Sequence, residues 1–404
     1  MAQNVFVTGL GIITGIGKNV EETLNALKNL HSGVGAISHL KTVHDHLPCS
    51  EVPFSDQELK KMLQLNDQEI VTRTSLLGIK AAQEAYNFAQ MDNCKKLGLR
   101  IGFINGTTVG GMEKSEQFYN DFINPDSNEY TPYIAAHDCG ACTEKIADYL
   151  DDFDFVSTTS TACSSAVNTL ILATNMIRAG LLDCVIAGGT ECLSKFHLNG
   201  FNTLMILDQH LCRPFDETRA GLNLGEGAAY LVLENEKSLA LRKQNPLCQI
   251  SGWGNSCDAF HQTASSPDGK GAVLSMQAAL SMSGLQPEEI DYINAHGTGT
   301  SNNDESEGNA VMQVFGSHIP PISSTKSYTG HTTSAAGSVE AVISILAMNY
   351  RFLPPNLNFK NKMEQLSFKP VEQLTENVEM NYVLNNSFGF GGNNSSIIFS
   401  KYKK

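Results

Sequence analysis

Residues 153–177, FDFVSTTSTACSSAVNTLILATNMI, combine a β-rich run, a cysteine among small residues and a long apolar stretch. Phe153 to Val156 predicts a strand, and Ala166 to Ile177 predicts the helix that follows the turn. Cys163 therefore stands at a helix start, where unpaired backbone N–H groups favour a thiolate. The small residues on either side would keep its sulfur accessible. This segment predicts a cysteine nucleophile in an α/β fold.

Strand-like and helix-like stretches alternate along the whole chain. The predicted strands are 5–7, 101–104, 153–156, 183–187, 229–233, 249–253, 290–294, 322–324, 382–385 and 395–399. Such alternation predicts parallel sheets covered by helices. The pattern restarts after the polar stretch 234–246, which indicates two similar halves, residues 1–245 and 246–404.

The composition is that of a globular protein. Apolar residues make up 41% and charged residues 17% of the 404 residues, and no apolar run approaches the roughly 20 residues of a membrane-spanning helix. Without a recognisable secretory leader, the ten cysteines indicate reduced thiols and a cytoplasmic location. The formal charge of −14 argues against nucleic-acid binding, which needs a positive surface.

Two short motifs resemble cofactor or metal sites without completing them. The Gly-rich turn in 5–11 suggests a dinucleotide fingerprint, but Thr14 stands where the third glycine belongs. The cysteine pair in 139–142 has no second pair at ligand spacing and reads as one face of a core helix. Neither a bound cofactor nor a metal is therefore expected.

Two later segments place further reactive side chains at strand ends. NAHGTGT at 294–300 contains His296, and STKSYTGH at 324–331 contains Lys326 and His331. Enzymes with parallel sheets build their sites at the carboxyl ends of strands. A single loop histidine is more often structural. Two strand-end histidines, a lysine and a helix-start cysteine together indicate nucleophilic catalysis.

These segments resemble the β-ketoacyl-ACP synthases, closest to the synthase II type, which share the thiolase fold. The shared motifs are VTGLG at 7–11, TACSS at 161–165, RPFD at 213–216, GEG at 225–227, DAFH at 258–261, NAHGTGT at 294–300, KSYTGH at 326–331 and NSFGFGG at 386–392. The resemblance implies a thiolase-like five-layer αβαβα fold with two pseudo-symmetric halves. It also implies a homodimer or a close heterodimer.

The resemblance implies a decarboxylative condensation carried out by four residues. Cys163 would accept an acyl chain, while the backbone N–H groups of Cys163 and Phe390 hold the oxyanion. His296 and His331 would then bind the malonyl thioester carbonyl and stabilise the enolate left by loss of CO₂. This role suits neutral imidazoles that donate a hydrogen bond.

Further residues receive supporting roles from the same resemblance. Lys326 would orient the histidine loops and pair with Glu340. Thr298 and Thr300 would bind the phosphopantetheine arm on which an acyl carrier protein delivers the substrate. Val109 would close the acyl tunnel near the dimer interface.

Docking of the carrier protein is where the chain fits the family least well, because the chain is strongly acidic and the resemblance implies a carrier that is acidic too. Arg213 is the first candidate for a local basic contact, with Arg73 and Arg219 as weaker ones. A structural Arg213, paired with Asp216 or Glu217, is the alternative.

Three departures from the family pattern predict a more polar pocket than a long saturated chain would need. They are Asn393 after the Gly-Gly pair, the Thr-Thr-Ser run at 332–334 and the segment GLNL at 221–224.

Two other functions are disfavoured by the cysteines. A CoA thiolase needs a second catalytic cysteine near the C-terminus, and no cysteine follows Cys257. A non-catalytic chain-length subunit would lack the nucleophile, whereas Cys163 is present. A catalytic subunit within a ketosynthase/chain-length-factor heterodimer stays open.

Overall fold

The computed structural model describes residues 3–124, 126, 128–150 and 152–403, and within them ten strands form one hydrogen-bonded sheet. The strands are β1 (Val5–Thr14), β2 (Ile101–Gly106), β3 (Phe155–Thr159), β4 (Cys184–Glu191), β5 (Gly227–Asn235), β6 (Cys248–Cys257), β7 (Tyr292–Asn294), β8 (Ile322–Ser323), β9 (Tyr382–Gly389) and β10 (Asn393–Lys401). Each of the ten strands predicted from the sequence is present. The strand before Cys163 begins at Phe155 rather than Phe153 and continues through three hydroxyl residues that the apolar pattern missed.

The strand order repeats in the two halves of the chain. Across the sheet the order is β8-β7-β9-β10-β6-β1-β5-β4-β2-β3. The first strand of each half, β1 or β6, lies at the centre of the sheet. From there to the edge, each half continues with its own fifth, fourth, second and third strands. In both halves the first two pairings are antiparallel and the other two are parallel. The prediction of wholly parallel sheets is therefore wrong. Only the short segment Phe390–Gly392 joins β9 to β10, and such a connection permits antiparallel pairing alone.

Helices lie between and outside the two halves of the sheet. Those in the described residues are α1 (Val20–Lys28), α2 (Asp56–Met62), α3 (Arg73–Phe88), α4 (Asp92–Lys96), α5 (Met112–Ile123), α6 (Cys139–Leu150), α7 (Ser165–Arg178), α8 (Lys195–Thr203), α9 (Glu236–Arg242), α10 (Lys270–Ser283), α11 (Ser301–Phe315), α12 (Lys326–Thr329) and α13 (Ala336–Tyr350). Helices α7 and α13 contact each other and strands of both halves, whereas α3 covers the first half and α10 the second. The result is a helix–sheet–helix–sheet–helix arrangement. Within the described part of the chain, no helix has both the length and the apolar character to cross a membrane.

Local sequence signals account for several helix boundaries. The Asn19 side chain accepts a hydrogen bond from the Glu22 backbone N–H at 2.8 Å and begins α1. Ser55 and Glu58 form the reciprocal capping box that begins α2. The uniform burial of 336–348 explains why α13 shows little amphipathic pattern, since it lies in the central layer.

Close contact between β1 and α3 depends on a residue without a side chain. A Cβ added at Gly11 would overlap the Ala81 carbonyl oxygen and lie 2.6 Å from the Ala85 nitrogen. Because both of these are backbone atoms of a packed helix, neither can move aside cheaply. The close approach of β1 to α3 therefore requires glycine at position 11.

We expect Gly11→Ala to lower the free energy of unfolding by about 2 kcal/mol, because the new methyl group forces β1 and α3 apart. Gly35→Ala is the matched control, since a Cβ there would meet nothing within 4 Å. Denaturant titration monitored by circular dichroism measures both variants. Equal free energies of unfolding for the two variants would show that β1 and α3 can move apart without loss of stability.

Candidate active site

A strained turn between β3 and α7 presents Cys163. Ala162 has a φ of +52°, in the left-handed region that residues with a Cβ rarely adopt. Ser165 holds this conformation, since its hydroxyl donates to the Ala162 carbonyl at 2.6 Å and accepts from the Thr161 N–H at 2.9 Å. The turn therefore fixes the direction of the cysteine side chain.

The Cys163 sulfur lies in a buried position next to an imidazole. The distance from its Sγ to His331 Nε2 is 3.1 Å, and the thiol is only 5% exposed. Burial raises the pKa of the Cys163 thiol to about 11, although the Lys326 charge and the Phe390 backbone N–H oppose this shift. Burial thus outweighs the stabilisation of a thiolate by the helix start and favours the neutral thiol.

His296 packs against His331, and both rings are neutral. The centroids of the His296 and His331 rings are 5.3 Å apart and nearly perpendicular. Burial, and then the positive charge of Lys326, hold the pKa of each imidazole well below the usual 6.5. Neutral imidazoles can donate a hydrogen bond to developing negative charge without first losing a proton.

Lys326 sets the tautomer of His296. Its ammonium donates to the His296 carbonyl at 2.5 Å, lies 3.2 Å from His296 Nδ1 and pairs with Glu340 of α13. Because an ammonium only donates, Nδ1 is the acceptor and the ring proton belongs on Nε2. Burial raises the pKa of the Glu340 carboxyl to about 7, against the lowering effect of Lys326. The structure thus brings together the lysine–glutamate pair that the resemblance implies.

Two acidic residues of α11 hold the loop after His296, and the sequence reading missed both. Glu307 accepts the backbone N–H groups of His296 and Gly297 at 2.9 and 2.7 Å. Asp304 accepts those of Thr298 and Gly299 at 3.0 and 3.1 Å. Burial raises the pKa of Glu307 to about 7, opposed by these hydrogen bonds. Their spacing of three residues places them on one helix face, but the polar run around them reads as a solvent-exposed surface.

A cavity of about 320 Å³ connects the cysteine to solvent. Its walls include Cys163, His331, Phe201, Phe390, Thr298 and Thr300. The hydroxyl oxygens of the two threonines are 2.9 Å apart, so they form one polar edge. Among the described residues that line the cavity there is no Asp, Glu, Lys or Arg.

The loop carrying Phe390 closes one side of the cavity. Phe390 stacks on Phe201 with ring centroids 5.6 Å apart. Gly391 and Gly392 have φ values of +80° and +76°, which glycine adopts without strain. A Cβ at Gly389 would lie 3.1 Å from the Cys163 nitrogen, so the loop approaches Cys163 closely.

Val109 lies outside the set of residues that line this cavity. It is buried, and its backbone N–H points at the Glu191 carboxylate at 3.4 Å. Glu191 also accepts hydrogen bonds from Thr108 and from the Ser334 hydroxyl, the latter at 2.6 Å. The Val109 loop is thus tied to the segment that follows His331.

The arginines proposed for carrier docking are largely occupied within the chain. Arg213 pairs with Asp208 at 3.2 Å and donates to the Thr218 carbonyl, so Asp216 and Glu217 were the wrong structural partners. The expectation for Arg73 is wrong, because it is buried against Glu226 at 2.5 Å. The Arg219 side chain is only 6% exposed and donates to the Ser301 carbonyl.

Of the three departures from the family pattern, one lines the cavity, through Gly221 and Leu222, and neither residue makes the wall more polar, contrary to expectation. The Asn223 side chain accepts from the Cys212 N–H at 2.7 Å, and Asn393 accepts from the Ser164 hydroxyl at 2.7 Å. Ser334 is bound to Glu191. These polar groups are satisfied inside the protein and stabilise loops around the cavity.

One group of potential metal ligands lies elsewhere in the described part of the chain. Donor atoms of Cys94, Cys184 and Glu234 are within 4.8 Å of one another and buried. Arg242 already pairs with Glu234 at 2.5 Å, and Ser238 contacts the Cys184 sulfur at 3.0 Å. The guanidinium charge disfavours a cation at this point.

Comparison with protein families matches nearly the whole chain. The models described as the N-terminal and C-terminal domains of β-ketoacyl synthase match residues 2–238 and 247–360. The 3-oxoacyl-[acyl-carrier-protein] synthase 2 of Staphylococcus aureus strain COL is 32% identical over 420 residues, with complete coverage of both chains. The protein of that name from Synechocystis is 31% identical and covers 99% of each chain.

Solved structures with the same fold include two ketosynthase assemblies. The ishigamide ketosynthase/chain length factor superposes with a TM-score of 0.93 at 30% identity, covering 100% of both chains. A ketosynthase in complex with its chain length factor from Xenorhabdus doucetiae superposes with a TM-score of 0.86 at 30% identity, covering 99% and 98%.

We expect Glu307→Gln to lower the free energy of unfolding by about 1–3 kcal/mol, because the new amide cannot accept both loop N–H groups. Glu305→Gln, an exposed position on the same helix, is the matched control and should change stability by less than about 0.5 kcal/mol. Chemical denaturation measures both. Identical midpoints would mean that Glu307 does not hold the His296 loop.

Proposed function

Because the chain belongs to the β-ketoacyl synthase family, we propose that it condenses malonyl-ACP with an acyl group carried on Cys163, releasing CO₂. The chain is an acyltransferase of the 3-oxoacyl-[acyl-carrier-protein] synthase class with the thiolase-like fold that the sequence predicted. The observation that carries the proposed mechanism is the 3.1 Å contact between Cys163 Sγ and His331 Nε2 beside the Phe390 loop.

In the first half-reaction Cys163 takes up the acyl chain. The resting thiol gives its proton to His331, and the sulfur attacks the carbonyl of the carrier thioester. The pantetheine sulfur leaves and takes up a proton. The backbone N–H groups of Cys163 and Phe390 are proposed to hold the oxyanion, since the Phe390 N–H already points at this sulfur.

In the second half-reaction a malonyl thioester replaces the free pantetheine. Once the sulfur is acylated it no longer donates a proton to His331, and this ring takes the tautomer that carries its proton on Nε2. His296 and His331 then donate from Nε2 to the thioester carbonyl while the carboxylate leaves as CO₂. The resulting enolate carbon attacks the acyl carbonyl on Cys163, the carbon–sulfur bond breaks, and Cys163 leaves as a thiolate that takes up a proton to restore the thiol. The product remains a thioester of the carrier, and no separate cofactor enters this scheme.

The remaining site residues are proposed to position these groups. Lys326 and Glu340 hold the His296 loop, and Thr298 and Thr300 bind the phosphopantetheine arm along the polar edge of the cavity. Val109 is proposed to close the acyl tunnel, through the loop that Glu191 anchors.

We propose that this molecule functions as a dimer in the cytoplasm, with an acyl carrier protein as its partner. The edge strand β3 exposes Val156, and α5 exposes Tyr119, Phe122 and Ile123 by 62%, 73% and 61%. Apolar exposure on an edge strand and on a helix suits a subunit interface. The division of the chain into residues 1–245 and 246–404 is likewise proposed.

A second candidate is the catalytic subunit of a ketosynthase/chain-length-factor heterodimer. The likeness to two such assemblies supports it, and the intact Cys163, His296 and His331 place this chain on the catalytic side. Co-expression with adjacent genes followed by native mass spectrometry distinguishes a homodimer from a heterodimer.

Cys163→Ala should abolish acyl loading, because only this thiol is placed against the histidine pair. Cys257→Ala removes the exposed thiol and should load normally. Intact-protein mass spectrometry after incubation with acyl carriers gives the answer. Acyl mass on the Cys163 variant would refute the assignment.

The two histidines should separate the half-reactions. His296→Ala should slow condensation by about 10²–10³ while Cys163 still acylates, because His296 does not touch the sulfur. His331→Ala should slow both steps, because its Nε2 lies against Sγ. Single-turnover acylation and malonyl decarboxylation are measured separately, and equal acylation rates in the two variants would contradict this division.

A further inference from the structure

The mouth of the active-site cavity carries two exposed apolar residues. Leu204 and Met205 follow directly after α8 and line the cavity that reaches Cys163. Their exposed fractions are 40% and 88%. We call these two residues the rim patch. Single exposed apolar residues are ordinary on protein surfaces, but these two are adjacent and border a reactive site.

The backbone projects Met205 outward at a position that favours glycine. Met205 has a φ of +55°, and its N–H donates to the Asn202 carbonyl at 2.9 Å to close the end of α8. Glycine is the usual residue at such a helix end, because any Cβ is strained there. Local backbone geometry therefore does not explain the methionine. Its side chain stands free at the entrance.

Charged side chains around the entrance do not offer another means of binding a partner. No charged side chain lines the cavity among the described residues, and the whole chain has a formal charge of −14. The nearby Arg213 and Arg219 donate to carbonyl groups and acids of their own chain. An acidic carrier protein is therefore repelled at long range, and the two arginines near the mouth are already paired with acids of their own chain.

We propose that the rim patch is the docking contact for the carrier protein and binds an apolar surface beside its phosphopantetheine arm. The inference rests on the proposed function and names how its partner is recognised. Continuity with the cavity identifies this occupant, because a partner that covers the rim must leave the path to Cys163 open for its arm. A second copy seated there would block that path, and the exposed apolar residues of α5 and β3 suit a subunit contact better.

The test compares a carrier-bound substrate with a small pantetheine thioester of the same acyl group. Met205→Glu should raise the KM for the carrier-bound substrate about fivefold or more relative to the KM for the small thioester. Leu181→Glu is the matched control, because Leu181 is 57% exposed at the opposite end of α7 from Cys163. This control should leave both KM values as in the wild type.

Salt provides an independent readout. The wild-type KM for the carrier should stay nearly constant as ionic strength rises, since apolar contacts are not screened. Met205→Arg should lower this KM at low salt and make it rise with salt, because it adds an attraction to the acidic carrier. A wild-type KM that climbs steeply with salt would overturn the proposal.

Other outcomes also decide. Equal effects of Met205→Glu on both substrates would overturn docking in favour of a role in the cavity, and a shift in oligomeric state would assign the rim to a subunit contact. If the wild type uses both substrates and Met205→Glu changes neither KM, the rim patch is rejected while the proposed function stands. Failure of the wild type to acylate Cys163 from either substrate would instead reject the proposed function.

Discussion

The buried Lys326 ammonium is the group on which the rest of the site depends. A buried charge needs a partner, and Glu340 supplies one from the central helix α13. The same ammonium binds the His296 loop, so one ion pair connects the middle layer of the fold to the histidine pair. Its charge also helps to keep both rings neutral. Position and protonation state are therefore set by one interaction.

Several carboxylates in this acidic chain act as internal anchors rather than surface charges. Glu191, Glu226, Asp304 and Glu307 are fully buried. They accept backbone N–H groups from the loops around the cavity. Burial raises the pKa of the Glu307 and Glu340 carboxyls, while backbone hydrogen bonds at Glu307 and the Lys326 charge at Glu340 oppose this shift. The acidity of the sequence thus serves loop architecture as well as surface charge.

Local patterns predicted the elements, while long-range contacts decided their arrangement. Alternating apolar runs located the strands, and the Ser55 capping box located a helix start, because both signals act over a few residues. The antiparallel pairing of β9 with β10 and the left-handed Ala162 depend on partners that the pattern does not show. Glu307 was missed and Arg73 was assigned to docking for the same reason. From the sequence alone a charged residue is expected to be exposed, and its buried partner is visible only in the structure.

The repeated strand order means that the two halves share one strand arrangement, yet neither half holds a complete site. The thiol comes from the first half, and both imidazoles and the lysine come from the second. Along strands, the described halves meet through the short pairing of Val5–Val7 with 248–250. During synthesis the thiol emerges long before the two histidines and the lysine. The geometry around Cys163 is therefore complete only once the two halves have docked.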